Sequence, residues 1–238
     1  GAIVRTDDFD KTYAYDGDDL GATWTKSKTT FKLWAPTATK VVLNTYTSDS
    51  SADAAKRKSI DMTRGDKGVW TAALDGDAKD TAYDYSLTFA DGSVNESPDP
   101  YATAAVINGD RSVVLSDAEK KVSIAKSPKF SGKNQDAVIA ETHIRDFSKS
   151  QSSGVSADRR GKYLGMVETG TKNKEGQSTG VDYLKKLGIT HVQIQPMFDY
   201  ASVDETKALD DSNYNWGYDP KNYNVPEGSY SSNAADPS

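Results

Sequence analysis

"AYDYSLTFADGSV", residues 82–94, fixes how the first half of the chain folds. Tyr83, Tyr85, Leu87 and Phe89 recur at period two and fall on one face of an extended strand, while Asp91-Gly92 supplies the residues that a tight hairpin turn needs. On either side, "FKLWAP" (31–36), "KVVLNTYT" (40–47) and "GVWTAAL" (68–74) repeat the short alternating pattern with no helical run between them. Several short strands at this spacing predict a β-sandwich of about 100 residues. Trp34 and Trp70 lie within these strands, as a sugar platform or as core; core is the preferred reading, because large apolar rings in alternating strands usually face inward.

The chain has 238 residues, enough for two ordinary domains or one large one. Twenty-nine lysines and arginines against 35 aspartates and glutamates leave a net charge of −6, which argues against a nucleic-acid or anionic-membrane partner. No apolar run approaches the roughly 20 residues of a membrane span, and "GAIVRTDDFD" lacks the basic and apolar regions of a signal peptide. With no cysteine there is no disulfide, thiol nucleophile or thiolate metal site.

The pattern changes near residue 120. A polar connector, "SDAEKKVSIAKSPKFSGKNQD" (116–136), leads to "AVIAETHIRDF" (137–147), which reads as a buried parallel strand opening on a site at its C-terminal end. If that stretch is extended, Glu141, His143 and Arg145 share a face, as a pocket floor or as an internal salt-bridge ladder, the ladder being preferred. The polar segment 148–178 is longer than an ordinary connection and is either a functional loop or an insertion. Thr179 with Asp182 then resembles a capping box, Val181, Leu184 and Leu187 share a helical face, and Gly188 supplies a stop. "ITHVQIQPM" (189–197) is a second β-branched strand, so a parallel βα unit is predicted.

Metal-ligand spacings are absent around His143 and His191, which read as satisfied structural histidines, and no metal site is expected. No nucleophile elbow, phosphate-binding loop or dinucleotide fingerprint occurs. Glycosidase chemistry needs only two flanking carboxyl groups, which composition cannot single out among 35 acids. "DDSNYNWGYDPKNYNVPEGSY" (210–230) gathers Trp216, Tyr214, Tyr218, Tyr223 and Tyr230 around Gly217, Pro220 and Pro226. Rings in a stretch that cannot be a regular helix suit a surface on which something flat lies.

"YNWGYDPKNYNVPEGSY" resembles the signature of type I pullulanases, debranching enzymes of the α-amylase superfamily (glycoside hydrolase family 13). "HIRDFS", "RRGKYLG" and "GVDYLKKLGITHVQIQPMFDY" match the same family in order, and "FDKTYAYDGDDLGATWTKSKTTFKLWAPTATKVVLNTY" resembles the family 48 carbohydrate-binding module that precedes its barrel. "FKLWAPTA" is shared with isoamylases and branching enzymes, so an isoamylase, a branching enzyme or a non-catalytic α-glucan-binding module is the alternative. The resemblance implies an immunoglobulin-like β-sandwich module over residues 1–120, a linker over 121–136, and the first βα segments of a (β/α)8 TIM barrel over 137–238. It implies that Tyr218 stacks on the glucose whose bond is cut, that Trp216 and Asn215 shape the same pocket, and that Asp219 bonds sugar hydroxyls or holds the loop. No catalytic carboxylate motif of the family occurs in this chain. The implied partners are an α-glucan substrate and the remainder of the same enzyme, the C-terminal barrel half. No cofactor is required, calcium being left open, and the implied location is extracellular or on the surface of a bacterium, with a cytoplasmic one also compatible.

Overall fold

The computed structural model describes residues 6–46, 57–207 and 210–238. Of the expectations above, those on residues 1–5 and on Thr47, the last residue of the second run, lie outside the described residues. The chain divides into two compact units. The first comprises residues 1–122 with 222–225 and 237–238, the second 123–221 with 226–236.

In the first unit, helix α1 (Asp7–Tyr13) starts at Thr6, whose hydroxyl accepts the Phe9 N–H. Strands β1 (Gly21–Trp24), β2 (Lys28–Trp34), β3 (Ala38–Tyr46), β4 (Lys58–Asp61), β5 (Thr63–Arg64), β6 (Val69–Asp75), β7 (Ala82–Phe89), β8 (Val94–Ser97) and β9 (Ser112–Val113) follow. They form two antiparallel sheets, β1-β2-β6-β5 and β4-β3-β7-β8, with β9 also paired to β7. Alternation places Phe31 and Leu33 of one sheet against Val41, Leu43, Tyr83 and Tyr85 of the other, with Trp70 and Val114 completing the core. Phe31 meets Tyr83 edge-on, ring centroids 4.9 Å apart, as aromatic quadrupoles prefer. The β7–β8 hairpin turns at Asp91-Gly92 as predicted, Gly92 having φ +81° and the Phe89 N–H donating to Ser93.

The two buried carboxylates Asp84 and Asp99 of this unit find hydrogen-bond donors, whereas the buried Thr29 hydroxyl finds no partner among the described residues. The Tyr83 hydroxyl donates to Asp99 at 2.7 Å, and Asn44 and Tyr46 donate to the two oxygens of Asp84, each at 2.7 Å. Burial pushes both carboxyls above the usual carboxylate range. The two indoles part ways. Trp70 is core, 5% exposed, and donates to the Ala35 carbonyl at 3.0 Å. Trp34 is not core: it is 42% exposed, its N–H shared between the carbonyls of Tyr13 and Lys67. Along β2 it has the parity of half-buried Lys32, opposite to Phe31 and Leu33. Helix α2 (Asp117–Lys120) opens with a capping box between Ser116 and Glu119 that the polar connector had concealed.

In the second unit, β10 (Ile139–Thr142) leads into helix α3 (Ile144–Ser148), α4 (Tyr163–Val167) and α5 (Gly180–Lys186), and β11 (His191–Ile194) returns parallel to β10, Ile139 opposite His191. Strand, helix and parallel strand occur as predicted. The strand expected over 137–147 is shorter, because His143 caps α3: its side chain accepts the Asp146 N–H, so Arg145 lies on a helix. The stripe Glu141–His143–Arg145 therefore does not form, as pocket floor or as ladder. The capping box at Thr179 does not form either. Its hydroxyl donates instead to the Ser153 carbonyl, and Asp182 accepts the Gly170 N–H at 2.5 Å. The long segment 148–178 is a built structure, with Val155 buried and a bridge between Lys172 and Ser178. Short strand β12 (Phe198–Tyr200) precedes the aromatic stretch 210–230, and β13 (Pro220–Pro226) lies within it, its residues 222–225 belonging to the first unit.

Candidate functional site

The aromatic stretch of the second unit is organised around a five-residue loop, Asn215 to Asp219. Asn215 closes it: its amide oxygen accepts the Gly217 N–H at 2.8 Å and its amide nitrogen donates to Asp219 Oδ1 at 2.8 Å. Gly217 has φ +88°, and a Cβ there would lie 2.5 Å from the Pro196 carbonyl oxygen, so this position needs glycine for backbone and for space. Asp219 ties the far end, its carbonyl accepting the Ala201 N–H at 3.1 Å and its second carboxylate oxygen accepting the Ser202 hydroxyl. From this closed loop Trp216 and Tyr218 project outward, 59% and 66% exposed.

Beneath it lies a buried polar layer. His143 is 2.8 Å from the Asn215 carbonyl oxygen through Nε2 and 3.2 Å from the Tyr230 hydroxyl. Tyr200 donates to Tyr230 at 2.8 Å, and Ile144, Tyr200, Val203 and Tyr230 make the core of the unit. Burial raises the Tyr200 hydroxyl to about 12 and drives those of Tyr230 and Tyr163 higher still. These are neutral hydrogen-bonding groups at any physiological pH. Arg145, also buried, donates to the Asp210 carbonyl at 3.0 Å and lies 5.4 Å from the Tyr214 ring, so it braces the approach to the loop.

Among the described residues one group of carboxylates has metal-ligand proximity: Asp199, Glu205 and Glu227, all buried, with one oxygen from each within 4.8 Å of the others. Oxygen donors of this kind suit a hard cation such as calcium. Two of these carboxylates accept main-chain N–H groups. Glu227 accepts the N–H groups of Tyr200 at 3.0 Å and Ser229 at 3.1 Å, and Glu205 accepts that of Gly228 at 3.1 Å. Burial raises the Glu227 carboxyl above its ordinary value. Three acids spread over 29 positions show no ligand spacing, and only the fold brings them together.

All four residues expected at the sugar site thus sit in one loop: Trp216 and Tyr218 as exposed rings, Asn215 and Asp219 as its clasp. Sequence reasoning missed the histidine beneath it. His143 is structural in being satisfied, yet one of its partners is the loop's own backbone. Its place after the apolar start of a strand was the available signal. His191, by contrast, lies exposed on β11, with Phe130 edge-on 4.9 Å away and Thr190 at 2.8 Å.

The family model for carbohydrate-binding module 48, the isoamylase N-terminal domain, matches residues 19–102. Over all 238 residues the chain is 42% identical to the pullulanase of Bacillus subtilis strain 168, of which it spans 31%. The crystal structure of pullulanase from Anoxybacillus sp. LM18-11 complexed with maltotriose superposes with a TM-score of 0.88 at 41% identity, over 100% of this chain and 33% of that one. Pullulanase from Paenibacillus barengoltzii, in complex with maltohexaose and α-cyclodextrin, gives 0.87 at 40%, over 98% of this chain and 36% of that one. In sequence and in fold the chain is thus related along its whole length to about a third of a pullulanase, with residues 19–102 matching the model for carbohydrate-binding module 48.

Proposed function

We propose that the chain is the N-terminal part of a debranching enzyme that hydrolyses α-1,6-glucosidic bonds in pullulan and in branched dextrins from starch or glycogen. The observation that carries this reading is the outward presentation of Trp216 and Tyr218 from a loop locked by its own side chains, in a chain 42% identical to a pullulanase. Glucose rings carry apolar C–H faces that stack on aromatic rings, and hydroxyls at their rims that need polar partners. Tyr218 is assigned to stack on the glucose whose bond is cut, with Trp216 and Asn215 shaping the pocket. Asp219 is assigned to the loop, because Asn215 and Ser202 already engage its carboxylate.

On this reading β10 and β11 are the first two strands of a (β/α)8 barrel. Parallel strands are normally covered on both faces, yet Ile139 is 61% and Val192 43% exposed here. Their cover would be the remainder of the same enzyme. That remainder would also supply the two carboxyl groups of a retaining reaction, one as nucleophile forming a glycosyl-enzyme and one as acid and then base. This chain's part is to hold the sugar. The location that goes with this reading is outside the cell or on a bacterial surface, with a cytoplasmic one also compatible.

A second reading, glucan binding by the sandwich unit alone, is favoured by one observation. Trp34, its indole N–H fixed by two carbonyls, lines a groove of about 410 Å³ with Tyr13, Tyr15 and Tyr101. Reducing-sugar release from pullulan separates the two. The 238-residue chain alone is expected to release none, and the complete enzyme is expected to turn over. Turnover by the purified chain, free of longer enzyme by intact mass, would refute the first reading. Retention of maltotriose by the chain that Trp34→Ala abolishes and Tyr218→Ala spares would favour the second.

A further inference from the structure

His143 is 7% exposed, and its ring nitrogens face two main-chain groups whose roles cannot change. The Asp146 N–H can only donate, and it reaches Nδ1 at 3.4 Å; the Asn215 carbonyl can only accept, and it lies 2.8 Å from Nε2. The ring is therefore the Nε2–H tautomer, with Nδ1 bare. The Tyr230 hydroxyl oxygen, 3.2 Å from Nε2, is a second acceptor for the same proton. Rings hold the imidazole on two sides, Tyr214 at 5.2 Å and tilted by 38°, Tyr230 at 5.9 Å and nearly perpendicular.

We infer that His143 is a positioning residue for the aromatic loop: its Nε2–H bond to the Asn215 carbonyl fixes the end of the loop from which Trp216 and Tyr218 are presented. The far end is tied through Asp219 to Ala201 and Ser202, and the bonds made by the Asn215 side chain only close the loop on itself. His143 supplies the near anchor. The shorter of its two main-chain contacts goes to the loop, 72 residues away in sequence, and the longer one to the helix it caps. The consequence for activity rests on the reading of this loop as the sugar platform, because a ring that stacks on a sugar must be held in place before the sugar arrives.

Two variants separate anchoring from helix capping. A glutamine amide reaches the place of Nε2 and can still donate to Asn215, but offers nothing at Nδ1. An asparagine side chain reaches only the place of Nδ1 and is a strong helix N-cap, but leaves the Asn215 carbonyl without its donor. Both are made in the complete enzyme for pullulan kinetics and in this chain labelled with 5-fluorotryptophan, the Trp216 fluorine signal being assigned with Trp216→Phe. Expected for His143→Asn are a displaced or broadened Trp216 signal and kcat/KM lower by about tenfold or more, with His143→Gln within about twofold of the parent. The reverse ranking, or an unmoved Trp216 signal in His143→Asn, would overturn the proposal.

If neither variant folds, nitrogen NMR of the unaltered chain decides, with His143 told from His191 by His191→Gln. A protected Nε2–H supports the anchor; an Nδ1–H tautomer overturns it. Trp216→Ala and Tyr218→Ala with normal pullulan kinetics would sink the sugar-platform reading by itself. The Trp216 signal in His143→Asn would still report the anchoring.

Discussion

Replacing Gly217 by alanine tests whether the loop is held by its backbone or merely rests where it is. Two costs arise. The first is conformational: φ is +88°, and an L residue there costs about 1–2 kcal/mol. The second is steric: the new Cβ would lie 2.5 Å from the Pro196 carbonyl oxygen, a backbone atom that cannot swing away, so loop or partner must move by about 1 Å. Together these give about 2–4 kcal/mol, concentrated on the local opening of the loop. Gly176 provides the control. It lies in the same unit with φ +78° and nothing within 4 Å of a built Cβ, so Gly176→Ala carries the conformational cost alone. Amide hydrogen exchange read at Gly217 or its alanine and at Ala201, whose N–H groups bond Asn215 and Asp219, measures the opening free energy directly. Faster exchange by about 30- to 1000-fold in Gly217→Ala, against about 5- to 30-fold at the equivalent turn in Gly176→Ala, is expected. Equal effects of the two substitutions would show that the contact with Pro196 does not confine the loop.

Other outcomes follow from the same geometry. Trp70→Ala should lower unfolding free energy by about 3 kcal/mol or more, because a core ring and its hydrogen bond are lost, while half-exposed Trp34→Ala should cost roughly half as much or less in urea titrations. In the complete enzyme, Tyr218→Ala should lose about 1–3 kcal/mol of transition-state stabilisation in pullulan kcat/KM, and unaltered kinetics would remove Tyr218 from the site. For Asp99, burial raises the folded-state pKa above the unfolded one. Its contribution to stability is therefore fully present below the ordinary carboxylate range and is lost as pH rises through the folded value. Wild-type stability should accordingly fall relative to Asp99→Asn as pH rises above the ordinary carboxylate range; a constant difference there would contradict the assignment.

The sandwich was legible because its information is local: alternation and the Asp91-Gly92 turn act over a few residues. Trp34 was misread although the signal was present, since counting by twos from Phe31 places it with Lys32 and Thr30 on the outer face. Thr179 and Asp182 satisfy a capping motif on paper, but tertiary partners, the Ser153 carbonyl and the Gly170 N–H, won both side chains. "AVIAETHIRDF" could be read as extended to its end because nothing local reveals that His143 turns back on the next helical turn. The aromatic loop was legible as a surface from its glycine and prolines, whereas its histidine anchor and the triad Asp199, Glu205 and Glu227 depend on contacts across tens of residues.

The clasp made by Asn215 bears on the thermodynamics of binding. Its amide satisfies a loop N–H and a loop carboxylate at once, so the backbone carrying Trp216 and Tyr218 has little conformational freedom left to surrender to a ligand. Each ring adds only two rotatable bonds. A sugar arriving at such a surface meets its entropy cost mainly in its own linkages, and a flexible α-1,6 branch point has more of that freedom to lose than an α-1,4 run. If this loop is the sugar platform proposed above, its rigidity leaves discrimination between glucans to the shape and stiffness of the glucan itself.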